Sequence, residues 1–398
     1  MTGFEIIRAK HRQAAELMQR HGIDTWLIEF ARETGLRPDP LGYLVGGSVT
    51  WPSAFLLNKD GATAAIVGSG DTGSFVSSGL WSDLRAFRNG PREDLLEVLT
   101  KWDPKTLGVT WSESDDTADG ITHGMFLLLR KLLAGTPYDD RIVPAGELAG
   151  DVRGIKLPEE IAAITRTVQQ TEQLLERMEQ RLEPGLTELE LQHEVQGWVH
   201  ERGWRFSWDE DFCPMVNFGQ PAFLGHARPT ERALQPGDVI HVDVGLIVDG
   251  FASDLQRTWY WRRPGEADAP AEVRRTFDAV KAAMEAGVAA LKPGAKGFEV
   301  DAMSRAKISE WDFEEPGFAF GHGCGRVAHD GSGVLGPEWE RYGDRPRFTI
   351  KAGNVFAVEM DLEVPGYGGV IGLEEEVVVT PEGAHYLSTP QSELKLLG

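Results

Sequence analysis

A chain of 398 residues is long for one hydrophobic core and predicts two domains, and its 41% hydrophobic and 26% charged content excludes a disordered protein. The formal net charge of -22 repels phosphate backbones and anionic lipid, which argues against nucleic acid and membranes as partners. Two cysteines, Cys213 and Cys324, cannot build a disulfide framework; with no signal-peptide core and no apolar run of bilayer length, a soluble cytoplasmic protein is expected.

Residues 4–21 place Phe4, Ile7, Ala14, Ala15 and Met18 at helical spacing and stop at Gly22. Runs at 25–30, 53–57 and 62–67 read as strands, and 91–101 and 118–133 as helices, so the first half is an α/β unit. It gathers no His, Asp or Glu at ligand spacing and reads as scaffold, oligomer interface or substrate gate. Gly150, Gly154 and Pro158 mark an irregular stretch meeting a long helix, which divides the chain into domains 1–154 and 155–398. Pro158 suits a first helical turn, and Glu159 and Glu160 suit its positive dipole end. Ile161, Ile164, Val168, Leu175, Met178 and Leu182 form one apolar stripe before Pro184-Gly185. A second helix runs to Gly203 from a capping box of Thr187 and Glu190. Both helices are packing elements.

From about residue 211 the pattern changes to strands. Segments 239–248 and 251–261 flank Asp249-Gly250, a strong hairpin signal, and helices are expected at 271–291 and 297–311. Two further strands, 354–364 and 370–380, flank a loop at 365–368. With Asp249 and Gly250 as turn residues, Asp254 faces Gly245, and Asp243 lies two residues away on the same face, so the two aspartates are diagonal neighbours. In the second hairpin Glu359 faces Glu374 directly, each within apolar strand sequence. Opposed like charges destabilise a sheet, so these carboxylates need a shared proton or a cation.

His322, in Gly321-His322-Gly323-Cys324-Gly325, is the candidate fifth ligand, because flanking glycines let the backbone approach closely and aim the imidazole. Four carboxylates and one imidazole are a hard donor set suited to two divalent metals about 3.5–4 Å apart, Mn²⁺ first, with Co²⁺ or Zn²⁺ as substitutes. Cys324 has no second thiol at ligand spacing and reads as core. Glu375, in the run 374–376, reads as a solvated acid.

These motifs resemble a known family. They are Val242-Asp243-Val244-Gly245, the run from Asp249-Gly250-Phe251 to Asp254-Leu255-Gln256-Arg257-Thr258, Gly321-His322-Gly323, Val358-Glu359, and Glu374 followed by Val377-Val378-Val379-Thr380. In this order they resemble the pita-bread metallopeptidases, the family of methionine aminopeptidase, aminopeptidase P and prolidase. The resemblance covers residues 155–398. The first half is similar to the creatinase/prolidase N-terminal domain, with Gly42-Tyr43-Leu44-Val45-Gly46 as its marker. The resemblance implies an α+β architecture: a C-terminal pita-bread catalytic domain preceded by a creatinase/prolidase-like α/β domain. It also implies a homodimer and a small peptide substrate.

Carried over residue by residue, Asp243 chelates one metal and His322 the other, while Asp254 and Glu374 bridge the pair. Glu359 binds metal and shuttles a proton from the nucleophilic water to the leaving nitrogen. His226, in Leu224-Gly225-His226-Ala227, and His329 are the two catalytic, substrate-facing histidines. The implied reaction is hydrolysis of Xaa-Pro dipeptides by a hydroxide bridging two metals. Aminopeptidase P action on longer Xaa-Pro peptides is the nearest alternative, followed by a small-amide hydrolase of the same fold and a non-catalytic binding homologue. Three positions depart from the group: Gly372 stands where Arg is common, Glu363 where Tyr is common and Phe318 where His is common. Tyr367 or a residue of the N-terminal domain is the candidate to compensate.

Overall fold

The computed structural model describes residues 3–33, 42–115, 117–219, 228–331 and 333–398. The chain divides into two units, Met1–Arg153 and Gly154–Gly398. In the first, a six-stranded sheet runs in the order Asp83–Phe87, Thr63–Gly68, Ser53–Asn58, Thr25–Ala31, Leu107–Val109, Ile142–Pro144. Its three central strands, those expected from sequence, pair antiparallel, and the outer three add on in parallel. Helices Arg92–Trp102 and His123–Leu133 bring Leu95, Val98, Leu99, Met125, Leu129 and Leu133 onto the sheet. The second of these starts later than 118, because Thr122 caps it through the Met125 amide while the Ile121 amide bonds to Thr110 O at 3.1 Å. The stretch before Gly154 is also not irregular. It is a helix, Gly146–Gly154, whose Leu148, Ala149 and Val152 are fully buried; that apolar face outweighs the low helix propensity of Gly150.

The second unit is built on a sheet of nine strands. Seven follow in the order Val334–Leu335, Gly321–Gly323, Val355–Glu363, Val370–Thr380, Leu255–Trp261, Val239–Val244, Met215–Phe218, with Gly383–Tyr386 and Lys395–Leu397 added at the side. Ile240, Val242 and Val244 join one core with Ile164, Val168 and Leu175 of helix Pro158–Arg181 and Leu191 and Val195 of helix Glu188–Glu201. Phe356, Val358, Met360 and Leu362 join a second core with Phe277, Val280 and Met284 of helix Ala271–Ala290. Strand alternation therefore turns His241 and Asp243, and Glu359 and Asp361, to the opposite face of the sheet. Burying each of these apolar side chains contributes about 1.5–3 kcal/mol. A slip of one residue would exchange them for the acids, so the apolar residues fix the register that aims the carboxylates.

Both hairpins form as expected. Asp249 and Gly250 have φ of 52° and 79°, and the pairs Val248↔Phe251, Ile247↔Ala252 and Leu255↔Val244 keep one register along the first. That ladder is interrupted beside Gly245: Leu246–Val248 and Phe251–Ala252 leave the large sheet and form a small one with Arg205–Phe206. Glycine is needed at this position, since a Cβ there would stand 2.3 Å from Ser253 O and 2.6 Å from Trp208. The second hairpin is continuous from Glu363↔Val370 to Val355↔Val378. Among the described residues, no helix is long and apolar enough to cross a membrane.

Candidate metal centre

Backbone pairing places Asp243, Gln256, Glu374 and Glu359 side by side on four consecutive strands. Directly opposed residues project from the same face, so three acids and one amide form a line, with neighbouring backbones ~4.8 Å apart. Asp254 lies one row along, two residues before Gln256. His322 enters the same row from the other side, paired with Ala357, which in turn pairs with Glu376. His322 Nε2 is 3.8 Å from Asp254 Oδ2 and 3.9 Å from Glu374 Oε1. One donor atom from each of these three lies within 4.8 Å of the other two, a grouping able to hold a metal ion. The glycines beside His322 are steric requirements: a Cβ at Gly321 would stand 2.4 Å from Ala357 O, and one at Gly323 2.1 Å from Asp330 O.

Burial first, and mutual repulsion second, pushes the carboxyls of Asp243, Asp254 and Glu374 well above the usual range. Burial likewise raises Glu359 to about 7, against a lowering hydrogen bond from Gln256. Burial, and then the neighbouring His329, push His322 well below its ordinary value, leaving a neutral imidazole able to offer a lone pair. Asp243 Oδ1 and Glu374 Oε2 are buried without a hydrogen-bond partner among the described residues. Acids at this density share protons or hold cations. A neutral imidazole and bare carboxylate oxygens are donors that divalent metals accept, so the residues fit such ions.

His329 is exposed and stands edge-on to His322, with ring centroids 4.2 Å apart at 69°. His226 lies outside the described residues.

The sequence profile of Metallopeptidase family M24 matches residues 162–381. The chain belongs to this family. Its match takes in Asp243, Asp254, His322, His329, Glu359 and Glu374. Among curated relatives, the uncharacterized peptidase YqhT of Bacillus subtilis (strain 168) is 26% identical over 70% of this chain and 73% of its own length. An uncharacterized peptidase of Staphylococcus aureus (strain USA300) is 28% identical over 60% of this chain and 63% of its own length. Solved structures share the fold over nearly the whole chain. The Xaa-Pro dipeptidase from Bacillus anthracis has a TM-score of 0.75 at 20% identity, covering 98% of this chain and 100% of its own. The dipeptidase from Pyrococcus horikoshii gives 0.72 at 22%, with the same coverage. The X-Pro aminopeptidase from Thermotoga maritima gives 0.70 at 19%, covering 97% of this chain and 99% of its own.

Within this M24 chain the expectation for Glu375 is overturned. Glu375 is not solvated: strand alternation turns it away from Glu374, to the covered face, where it is 3% exposed. There it pairs with Arg257 Nη2 at 3.1 Å and accepts hydrogen bonds from Ser388 Oγ and the Gln391 amide. Cys324 is fully buried as expected, with its thiol 3.5 Å from Glu376 Oε1. Of the departures from the group, Gly372 is buried opposite Asp361, and Glu363 is exposed at the hairpin end. The Tyr367 hydroxyl donates to Gly237 O at 2.6 Å and meets Tyr260 and Arg263.

The sequence reading missed four buried polar groups on the ligand face: His241, Gln256, Asp361 and Glu376. Each stands one strand period from a candidate ligand, at two residues' remove, and that parity is the available signal. Glu376 Oε1 accepts the Asp254 amide at 2.8 Å, and burial raises its carboxyl to about 8.

Proposed function

We propose that this chain hydrolyses Xaa-Pro dipeptides with two divalent metal ions held by Asp243, Asp254, His322, Glu359 and Glu374. The observation that carries the reading is the convergence of His322 with Asp254 and Glu374 at 3.8 and 3.9 Å, beside a register that opposes Glu359 and Glu374. The dipeptidase folds matched over 98% of the chain support the substrate class. In this reading residues 1–154 are a creatinase/prolidase-like N-terminal domain and 155–398 the catalytic one. Mn²⁺ is favoured by the four carboxylates, with Co²⁺ or Zn²⁺ as substitutes. A homodimer follows from the family resemblance. Two buried free thiols suit a reducing cytoplasm.

Bound there, two divalent ions would supply Lewis acidity to an amide carbonyl and acidify a water molecule. The chain's own groups do the rest. Glu359, opposed to Glu374 in the acid line, takes a proton from the attacking water and returns it to the leaving nitrogen. His329, exposed beside His322, donates to the developing oxyanion, and His226 contacts the substrate with it.

The fold shared with an X-Pro aminopeptidase over 97% of this chain favours a second reading, in which longer Xaa-Pro peptides are cut. A panel of Xaa-Pro dipeptides, Xaa-Pro-Yaa tripeptides and non-proline controls, assayed with Mn²⁺, decides between them. Cleavage of dipeptides alone is expected. Tripeptide cleavage would establish the second reading, and no metal-stimulated hydrolysis of any substrate would remove both.

A further inference from the structure

Gln256 stands in the middle of the acid line, between Asp243 and Glu374, and is 2% exposed. Its side chain is held at both ends: Nε2 is 3.1 Å from Glu359 Oε2, and Oε1 is 2.8 Å from His241 Nε2. The partners dictate which way the amide points. Turned over, it would press its oxygen against a carboxylate oxygen, two acceptors in contact, so the nitrogen faces Glu359. The oxygen then faces His241, whose Nε2 carries the hydrogen. The His241 ring is 1% exposed, and its Nδ1, an acceptor in this tautomer, has no hydrogen-bond partner among the described residues.

Glycine at 372 makes the arrangement sterically feasible. A Cβ there would stand 2.3 Å from His241 Nε2 and 2.6 Å from both Gln256 Oε1 and Asp361 Oδ1. Asp361 lies on the same face as Glu359, two residues further along the strand, and the two carboxylates repel. Glu359 therefore has a repelling neighbour on one side and the Gln256 amide on the other. An N–H donated to an ionised carboxylate is among the stronger hydrogen bonds, and it selects one position of a flexible side chain.

We propose that Gln256, oriented by His241, is a positioning residue that holds Glu359 Oε2 and so presents Oε1 to the metal ions and the attacking water. This rests on the two-metal reading above. Groups that orient metal ligands in this way typically change metal affinity ~10–100-fold when removed.

The test uses Co²⁺ alone, titrated into the metal-free full chain and followed by calorimetry and by the visible Co²⁺ absorption band. Wild type is expected to bind two equivalents. Gln256→Leu is expected to weaken one of them ~10–100-fold and alter the band, and in the hydrolysis assay to lower kcat while KM stays within ~2-fold. His241→Leu, which removes the donor to Gln256, should do the same. His241→Gln, which restores an N–H donor, should return affinity to within ~3-fold of wild type. The His241 pair decides the matter if Gln256→Leu does not fold. Wild-type affinity and absorption in His241→Leu, or equal losses in His241→Leu and His241→Gln, would overturn the positioning role and leave the two-metal reading standing. A wild-type chain that binds no Co²⁺ would overturn both.

Discussion

Gly323→Ala tests how tightly the His322 strand is pressed against its surroundings. A Cβ at 323 would stand 2.1 Å from the Asp330 carbonyl oxygen, and the Asp330 amide is itself bonded to Gly323 O at 2.7 Å. The obstruction is backbone, held on the side where it would have to yield. Ordinary contact requires a separation of about 3.4 Å, so strand or loop must move by roughly 1 Å, and overpacking of this kind costs about 1–3 kcal/mol. At roughly 2–4 °C per kcal/mol for a domain of this size, the melting temperature should fall by about 2–12 °C. The effect on the site should be larger. His322 is the adjacent residue, and metal ligands tolerate only about ±0.2 Å, so Co²⁺ affinity should drop by at least ~10-fold. Turnover should drop ~100-fold, the usual consequence of misplacing a reacting group by about 1 Å. Thermal melts and Co²⁺ titration of the full chain measure both. Gly197→Ala is the control, since nothing lies within 4 Å of its Cβ on an exposed helix face, and it should stabilise by about 0.5–1 kcal/mol. A Gly323→Ala protein that melts within about 1 °C of wild type and binds Co²⁺ as tightly would refute the steric argument.

Glu359→Gln should lower turnover ~10²–10⁴-fold without lowering the melting temperature, because it removes one charge from a crowded acid line; retained turnover removes the proton-transfer role. Arg257→Met should cost about 3–5 kcal/mol by leaving Glu375 buried and unpaired, and Arg257→Met with Glu375→Gln should recover most of it in denaturant melts. The metal-free protein should lose stability as pH rises from 6.5 to 8.5. Glu359 and Glu376 are raised from 4.5 to about 7 and about 8, so the folded state keeps protons that the unfolded state has released. That stability is complete below the ordinary carboxyl value and disappears as pH passes through the folded values. His11 and His241, lowered from 6.5 to about 4, act in the opposite direction but only below this interval. A melting temperature in chelator that rises between pH 6.5 and 8.5 would count against the assignment, and saturating Mn²⁺ should abolish the fall.

The hairpins were legible because turn chemistry and strand alternation are local. Asp249-Gly250 sets the first register, the loop at 365–368 sets the second, and both pairings could be read off before any tertiary contact was known. What local pattern cannot state is which hairpins meet. The Gln256↔Glu374 bridge joins the two, and it depends on long-range packing. Glu375 was misread for the same reason: parity gives the face on which a side chain lies, but not what covers that face. There, Arg257 arrives from the other hairpin, and Ser388 and Gln391 from the chain that folds back after the strand. The helix Gly146–Gly154 was hidden by its glycines, whose low propensity is overridden by the burial of Leu148, Ala149 and Val152.

Because Asp243, Glu374 and Glu359 sit on strands joined through one line of cross-strand pairs, their spacing is metered by backbone hydrogen bonds rather than by the side chains of either core. The repeat of that ruler, ~4.8 Å, is the same whatever apolar residues line the helices outside it. Exchanging Leu, Val and Met on the helix-covered side should therefore raise or lower thermal tolerance while leaving the separation of the acids unchanged. Within one register, then, thermal tolerance can be tuned on the helix-covered face without resetting the spacing of the acids on the other.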